Sequence, residues 1–98
     1  MTFAIGDQDL PGLSKLTEEA GELLQVVGKL MATHGMAEHW DGTDLRERFV
    51  LELGDLSAAI QFVVSRVLTL EEVRVIRARI REKYAKFEQW HGTQGTPK

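Results

Sequence analysis

The stretch that decides the fold is residues 13–34, LSKLTEEAGELLQVVGKLMATH. Its apolar residues recur at intervals of three and four, so they form one stripe on a helix of about 3.6 residues per turn. The stripe consists of Leu13, Leu16, Ala20, Leu23, Leu24, Val27, Leu30 and Met31. We therefore predict an amphipathic helix over 13–34, with Ser14 or an earlier polar residue as its cap and Gly35 as its stop signal.

Two further helices are predicted, over 44–68 and 69–90. Their apolar stripes are Leu45, Phe49, Leu53, Leu56, Ile60, Val63, Val64 and Val67 in the second, and Val73, Ile76, Ile80, Tyr84 and Phe87 in the third. Asp44 with Glu47, and Thr69 with Glu72, have the spacing of a capping box at the two helix starts. No strand pattern competes, so the sequence predicts an all-α protein whose residues 92–98 form a disordered tail.

The composition narrows the classes of function. A chain of 98 residues with 43% apolar residues is expected to be a single domain over 1–98, and one this small often oligomerises. A formal charge of −3 argues against binding a nucleic acid polymer, and the absence of Cys excludes disulfides and thiolate metal sites. Neither a membrane span nor a secretory signal is recognisable, so we expect a cytoplasmic protein.

The segment 35–43 sets how the first two helices meet. Its length predicts that they are antiparallel neighbours, an α-helical hairpin. Pairing His34 with Asp44 across the segment places Glu22 level with about Leu56, and Glu19 with about Ala59.

Acidic residues occur where these two helices should bury apolar ones. The first helix carries Glu18-Glu19-Ala20-Gly21-Glu22, and the second carries Glu52-Leu53-Gly54-Asp55. At about 100° per residue, Glu19 and Glu22 border the apolar stripe of their helix, while Glu18 turns toward solvent. Glu52 falls inside the apolar arc of the second helix and Asp55 lies at its edge, so the two acid pairs should meet.

Converging carboxylates repel one another and lose hydration, which costs several kcal/mol for each buried, unpaired charge. Either their pKa values rise or a hard divalent cation neutralises them. Mg²⁺, with Mn²⁺ as a substitute, suits a site of oxygen ligands without cysteine, and points to phosphate chemistry. The competing interpretation is a solvated acidic helix face, and Gly21 and Gly54 are compatible with a close approach by a ligand or with a simple packing choice.

Glu18-Glu19-Ala20-Gly21-Glu22 followed by Glu52-Leu53-Gly54-Asp55 resembles the EExxE…ExxD signature of the MazG-like all-α nucleotide pyrophosphohydrolases. The resemblance covers roughly residues 13–67. It implies Mg²⁺-dependent hydrolysis of a nucleoside triphosphate to the monophosphate and pyrophosphate. It also implies a homodimer or homotetramer in which helices of several chains complete a four-helix-type bundle.

Carried over by position, the resemblance implies that Glu19, Glu22, Glu52 and Asp55 are the metal ligands. Glu18 would be a ligand of a second metal ion or would orient the attacking water. The triphosphate also needs cations, and Lys29, Lys83 and Lys86 are candidates, as is Trp40 for stacking on the base. Ordinary solvation for the lysines, and a covering role at the end of the hairpin for Trp40, remain alternatives.

Two other functions stay open at this point. The chain could be a non-catalytic helical dimerisation or adaptor module, which Glu22 and Asp55 facing solvent would favour. It could also be the related phosphoribosyl-ATP pyrophosphohydrolase, although the general signature fits better than that enzyme's own features.

Overall fold

The computed structural model of the protein describes residues 12–34 and 44–93. These residues form three helices and no β-strand: α1 (Leu13–Ala32), α2 (Leu45–Val67) and α3 (Leu70–Thr93). The all-α prediction is therefore confirmed, and each predicted boundary lies within three residues of the observed one. The predicted tail began too early, because α3 continues through Gly92 to Thr93.

The chain divides into two compact units, Met1–Val67 and Leu68–Lys98. Helices α1 and α2 pack against each other in the first unit, and α3 lies in the second. The single domain over 1–98 stays a prediction. Within the described ranges, no helix is long and apolar enough to cross a membrane.

The capping box predicted at the start of α3 is complete, and the one predicted at the start of α2 is present in part. At α2 the backbone N–H of Glu47 donates to Oδ1 of Asp44 at 3.0 Å. At α3 the motif is reciprocal, since the N–H of Glu72 donates to Oγ1 of Thr69 at 3.1 Å and the N–H of Thr69 donates to Oε1 of Glu72 at 2.9 Å. These bonds satisfy amide groups that a helix leaves without internal partners at its start.

The start of α1 differs from the prediction. Ser14 lies inside the helix, and the N-cap is Gly12, which makes no side-chain cap bond. Gly12 has φ of 87°, in the left-handed region that glycine enters without steric penalty. A Cβ at this position would lie 2.6 Å from Cδ1 of Phe62 on α2, so close packing also requires a residue without a side chain.

Helix α1 ends at Ala32, two residues before the predicted end. Thr33 donates its N–H to the Lys29 carbonyl at 3.0 Å, and His34 donates its N–H to the Met31 carbonyl at 3.2 Å. His34 adopts φ of 57°, so it takes the left-handed conformation that often terminates helices. Gly35, the predicted stop signal, lies outside the described residues, as does the rest of the segment 35–43.

The core of the first unit is a narrow band between α1 and α2. Leu45, Val26 and Ala59 are buried there, and so is the acidic Glu52. Val26 was not part of the predicted stripe, whereas two predicted members, Leu24 and Met31, are 70% and 73% exposed. The apolar stripe of α1 is wider than one neighbouring helix can cover. Val26 is the residue of α1 that the packing against α2 buries, and the edges of the stripe stay exposed.

We predict that Gly12→Ala lowers the free energy of unfolding by about 1–3 kcal/mol, because Ala is strained at positive φ and its Cβ would collide with Phe62. Gly28→Ala is the matched control. Gly28 lies within α1, and a Cβ there would meet no described atom within 4 Å, so this change should raise stability by up to about 1 kcal/mol. Urea unfolding measures both values, and an equally stable Gly12→Ala protein would contradict the packing described here.

Candidate metal centre

The two acidic motifs face each other because α1 and α2 run antiparallel. Gly12 contacts Phe62 at one end of the helix pair, Glu19 and Asp55 line a common pocket, and Glu22 lies against Glu52. The sequence register placed Glu22 level with Leu56. The observed partner, Glu52, comes four residues earlier, so the predicted register is displaced by about one helical turn.

Three carboxylates converge at this place. Glu19 and Glu22 from α1 and Glu52 from α2 each offer an oxygen, and these oxygens all lie within 4.8 Å of one another. Glu19 and Glu22 are half-buried and Glu52 is buried. As the projection on the helices predicts, Glu52 faces the core and its two partners border the apolar stripe of α1.

Glu52 is the most enclosed member of the group, with 8% of its surface exposed. Its Oε1 lies 3.6 Å from Nη2 of Arg48, one turn earlier on α2. Its Oε2 is buried and has no hydrogen-bond partner among the residues that the structure describes, and the same holds for Oε2 of Glu19. A buried polar atom without a hydrogen-bond partner is unfavourable, so both oxygens are suited to a ligand.

The mutual repulsion of these groups perturbs their protonation. Burial raises the pKa of Glu19, and the negative charges of Asp55, Glu18 and Glu52 add to the effect. Repulsion by Glu19 and then by Glu52 raises the pKa of Glu22, and burial contributes further. Without a cation the cluster therefore opposes full ionisation.

Glu18 lies outside this group of three. Its side chain is 49% exposed, and its Oε2 accepts a hydrogen bond from Nζ of Lys15 at 3.1 Å. That bond and the charge of Glu18 raise the pKa of Lys15, with smaller contributions from Glu19 and Glu22. Lys15 is thus a cation within the field of the cluster.

Asp55 is exposed and is not one of the three grouped carboxylates. It lines, together with Glu19, a pocket of about 430 Å³ beside the cluster. The other lining residues are Gly12, Lys15, Ala58, Ala59 and Phe62. The pocket is therefore lined by an apolar wall from α2, by one positively charged side chain and by two carboxylates.

The other candidate residues lie in different parts of the chain. Lys29 is half-buried in the last turn of α1, and Trp40 lies outside the described residues. Lys83 and Lys86 are on α3, in the second unit, where Lys83 is half-buried and Lys86 is exposed. Lys15 was not predicted as a site residue. Its position three residues before Glu18 and four before Glu19 places it on the acidic face of α1, which is the signal that could have identified it.

The donor set matches a hard divalent cation. All three grouped side chains supply carboxylate oxygen, which Mg²⁺ and Mn²⁺ prefer, and two of their buried oxygens have no other described partner. Gly21 and Gly54 interrupt the two motifs, and a Cβ at either position would meet no other described atom within 4 Å. Among residues 12–34 and 44–93, nothing therefore packs closely against either glycine.

We predict that Glu22→Gln stabilises the metal-free protein near pH 7. The pKa of Glu22 is raised above its ordinary 4.5, so the folded state holds a proton that the unfolded state releases, and stability falls as pH rises above about 4.5. The neutral amide removes this loss, so the advantage of the variant should be small at pH 4 and grow toward pH 7. Thermal unfolding in a chelator buffer measures the difference.

Glu18→Gln is the control for this measurement, because Glu18 is exposed and already paired with Lys15. Its gain in stability between pH 4 and pH 7 should be smaller than that of Glu22→Gln, because the charge of Glu18 raises the pKa of Glu22 less than the charges of Glu19 and Glu52 do. A Glu22→Gln protein no more stable than the wild type at pH 7 would show that the carboxylates do not repel each other as the structure indicates.

Comparison with protein-family models, curated proteins and solved structures returned no match. The functional argument therefore depends on the chain's own residues and their geometry.

Proposed function

We propose that the protein is a Mg²⁺-dependent nucleoside triphosphate pyrophosphohydrolase that clears nucleotides from the cellular pool. One observation carries the proposal: Glu52, whose Oε2 is buried without a described partner, lies beside the carboxylates of Glu19 and Glu22. A solvated acidic face would not bury such an atom. The EExxE…ExxD spacing, present over Glu18–Asp55, supports the same function.

Glu19, Glu22 and Glu52 would hold the cation, with Mn²⁺ able to replace Mg²⁺. A bound Mg²⁺ would supply charge neutralisation for the phosphates and a lower pKa for a coordinated water. Asp55, on the pocket side of Glu19, is proposed as the fourth ligand. Since Asp55 is exposed and outside the group of three, it would need to turn toward the cluster.

Glu18 is proposed to orient the attacking water or to hold a second ion. Its side chain is 49% exposed and therefore accessible to substrate, and its Oε2 accepts a hydrogen bond from Lys15. A carboxylate in this role accepts the proton that the water loses as it attacks phosphorus. No side chain needs to form a covalent bond to the substrate.

The pocket beside the cluster supports a role in substrate binding. Lys15 contributes a positive charge to its wall, which favours a polyphosphate chain next to the carboxylates. Lys29, Lys83, Lys86 and Trp40 remain proposed substrate contacts. Base and sugar are not specified by these residues.

The adaptor-module alternative loses ground on one observation. It is favoured if Glu22 and Asp55 face solvent; Asp55 is exposed, whereas Glu22 is half-buried within the acid cluster. No observation favours phosphoribosyl-ATP over a nucleoside triphosphate as substrate.

A homodimer or homotetramer is part of the proposal. In the first unit α1 and α2 expose Leu24, Met31, Val50, Leu51, Leu53, Ile60 and Phe62. A second copy that covered these residues would extend the narrow core into a four-helix-type bundle.

The activity is tested by incubating the protein with a panel of nucleoside and deoxynucleoside triphosphates and Mg²⁺ or Mn²⁺, and measuring pyrophosphate. We expect release with at least one substrate. Glu52→Gln should lower the rate by at least about 100-fold while circular dichroism stays unchanged, because the cation contributes several kcal/mol to such reactions. Folded wild-type protein that releases no pyrophosphate with either metal would contradict the proposal.

Glu71→Gln is the matched control for Glu52→Gln. Glu71 is a 75% exposed acid on α3 that pairs with Arg74 at 3.5 Å, so its neutralisation removes the same charge away from the cluster. Its pyrophosphate release should equal that of the wild type.

The assembly is tested by sedimentation equilibrium. We expect a dimer or tetramer for the wild type, and a shift toward monomer when Leu51, which is 58% exposed, is replaced by Lys. A charge at a buried interface is strongly unfavourable without a partner. Lys83→Ala, on α3, is the control. It adds no charge to the apolar surface of α1 and α2, so the assembly should stay that of the wild type. A monomeric wild-type protein at micromolar concentration would contradict this part of the proposal.

A further inference from the structure

Arg48 stands beside the buried carboxylate and has no role in the proposed chemistry so far. Its Nη2 lies 3.6 Å from Oε1 of Glu52, and its side chain is 40% exposed while that of Glu52 is 10% exposed. The guanidinium thus lies between solvent and the most enclosed acid of the cluster.

The spacing of four residues places Arg48 and Glu52 on one face of α2, and the burial of the acid distinguishes this pair from the other ion pairs. The ion pairs Lys15–Glu18, Arg74–Glu71 and Arg79–Glu82 join side chains that are each at least 49% exposed. Among these described pairs, only that of Arg48 reaches a buried carboxylate, where screening by water is weakest.

The contact with Arg48 gives the two oxygens of Glu52 different surroundings. Arg48 lies next to Oε1, Oε2 is buried without a described partner, and one oxygen of this carboxylate lies within 4.8 Å of oxygens of Glu19 and Glu22. We infer that Arg48 is a positioning residue: it holds Oε1 of Glu52 so that Oε2 is presented to a cation shared with Glu19 and Glu22. The inference rests on the metal site of the proposed function. Groups that orient a metal ligand in this way commonly change metal affinity by about 10–100-fold when removed.

Two effects of removing Arg48 have opposite signs, and this makes the inference testable. Without the positive charge of Arg48, the negatively charged cluster would by itself attract a divalent cation more strongly. Loss of the restraint on Glu52 would weaken binding, because its carboxylate could rotate or accept a proton in place of the ion. The inference states that the second effect is the larger.

The test is a titration of the full-length protein with Mn²⁺ alone, followed by electron paramagnetic resonance of the free ion, without nucleotide. We expect Arg48→Met to bind Mn²⁺ about tenfold more weakly than the wild type. Arg48→Lys, which keeps the charge and loses the planar fork, should fall between the two. The control is Arg74→Met, which removes the same charge from an exposed ion pair in the second unit and should retain wild-type affinity.

Equal or tighter binding by Arg48→Met would overturn the inference and leave the metal site intact. If Arg48→Met does not fold by circular dichroism, Arg48→Lys decides: binding at least about threefold weaker supports the inference, and wild-type affinity overturns it. A wild-type protein that binds no Mn²⁺ would overturn the metal site and this inference together, so the two failures are distinguishable.

Discussion

Repulsion between carboxylates at the contact of two helices is the constraint on which the structure of the first unit depends. Packing α1 against α2 buries Val26 and Leu45, and the same packing forces Glu52 into the neighbourhood of Glu19 and Glu22. Apolar burial favours the contact, whereas desolvation and like charge oppose it. A divalent cation would resolve this conflict, since it neutralises the oxygens without separating the helices. We therefore propose that a cation bound at this site would stabilise the packing of α1 against α2.

Local features fix how the helices meet and thereby where the acids converge. Gly12 allows the start of α1 to lie directly on Phe62, and the capping bond at Asp44 fixes the start of α2. Of these two features only the contact of Gly12 with Phe62 joins the two helices, so it is the one that limits sliding along their contact. Because a slip of one turn would move Glu22 away from Glu52, the geometry of the cluster depends on residues that do not contact it.

The sequence predicted the features that depend on local patterns. Helix periodicity and the spacing of Thr69 and Glu72 depend on residues within one or two turns, and both were confirmed. Glu52 was predicted to face the core because its neighbours on the helix wheel are apolar. The predicted register was wrong by about one helical turn, and the burial of Val26 and the position of Asp55 outside the group of three were not predicted. They depend on how two surfaces fit, which periodicity alone does not specify.

The central claim, that the three carboxylates hold a divalent ion, is tested most directly by a crystal of the full chain soaked in Mn²⁺ and measured for anomalous scattering. We predict one strong anomalous peak between α1 and α2, in direct contact with oxygens of Glu19, Glu22 and Glu52. A map without a peak at this position, in which these three side chains diverge into solvent, would contradict the account.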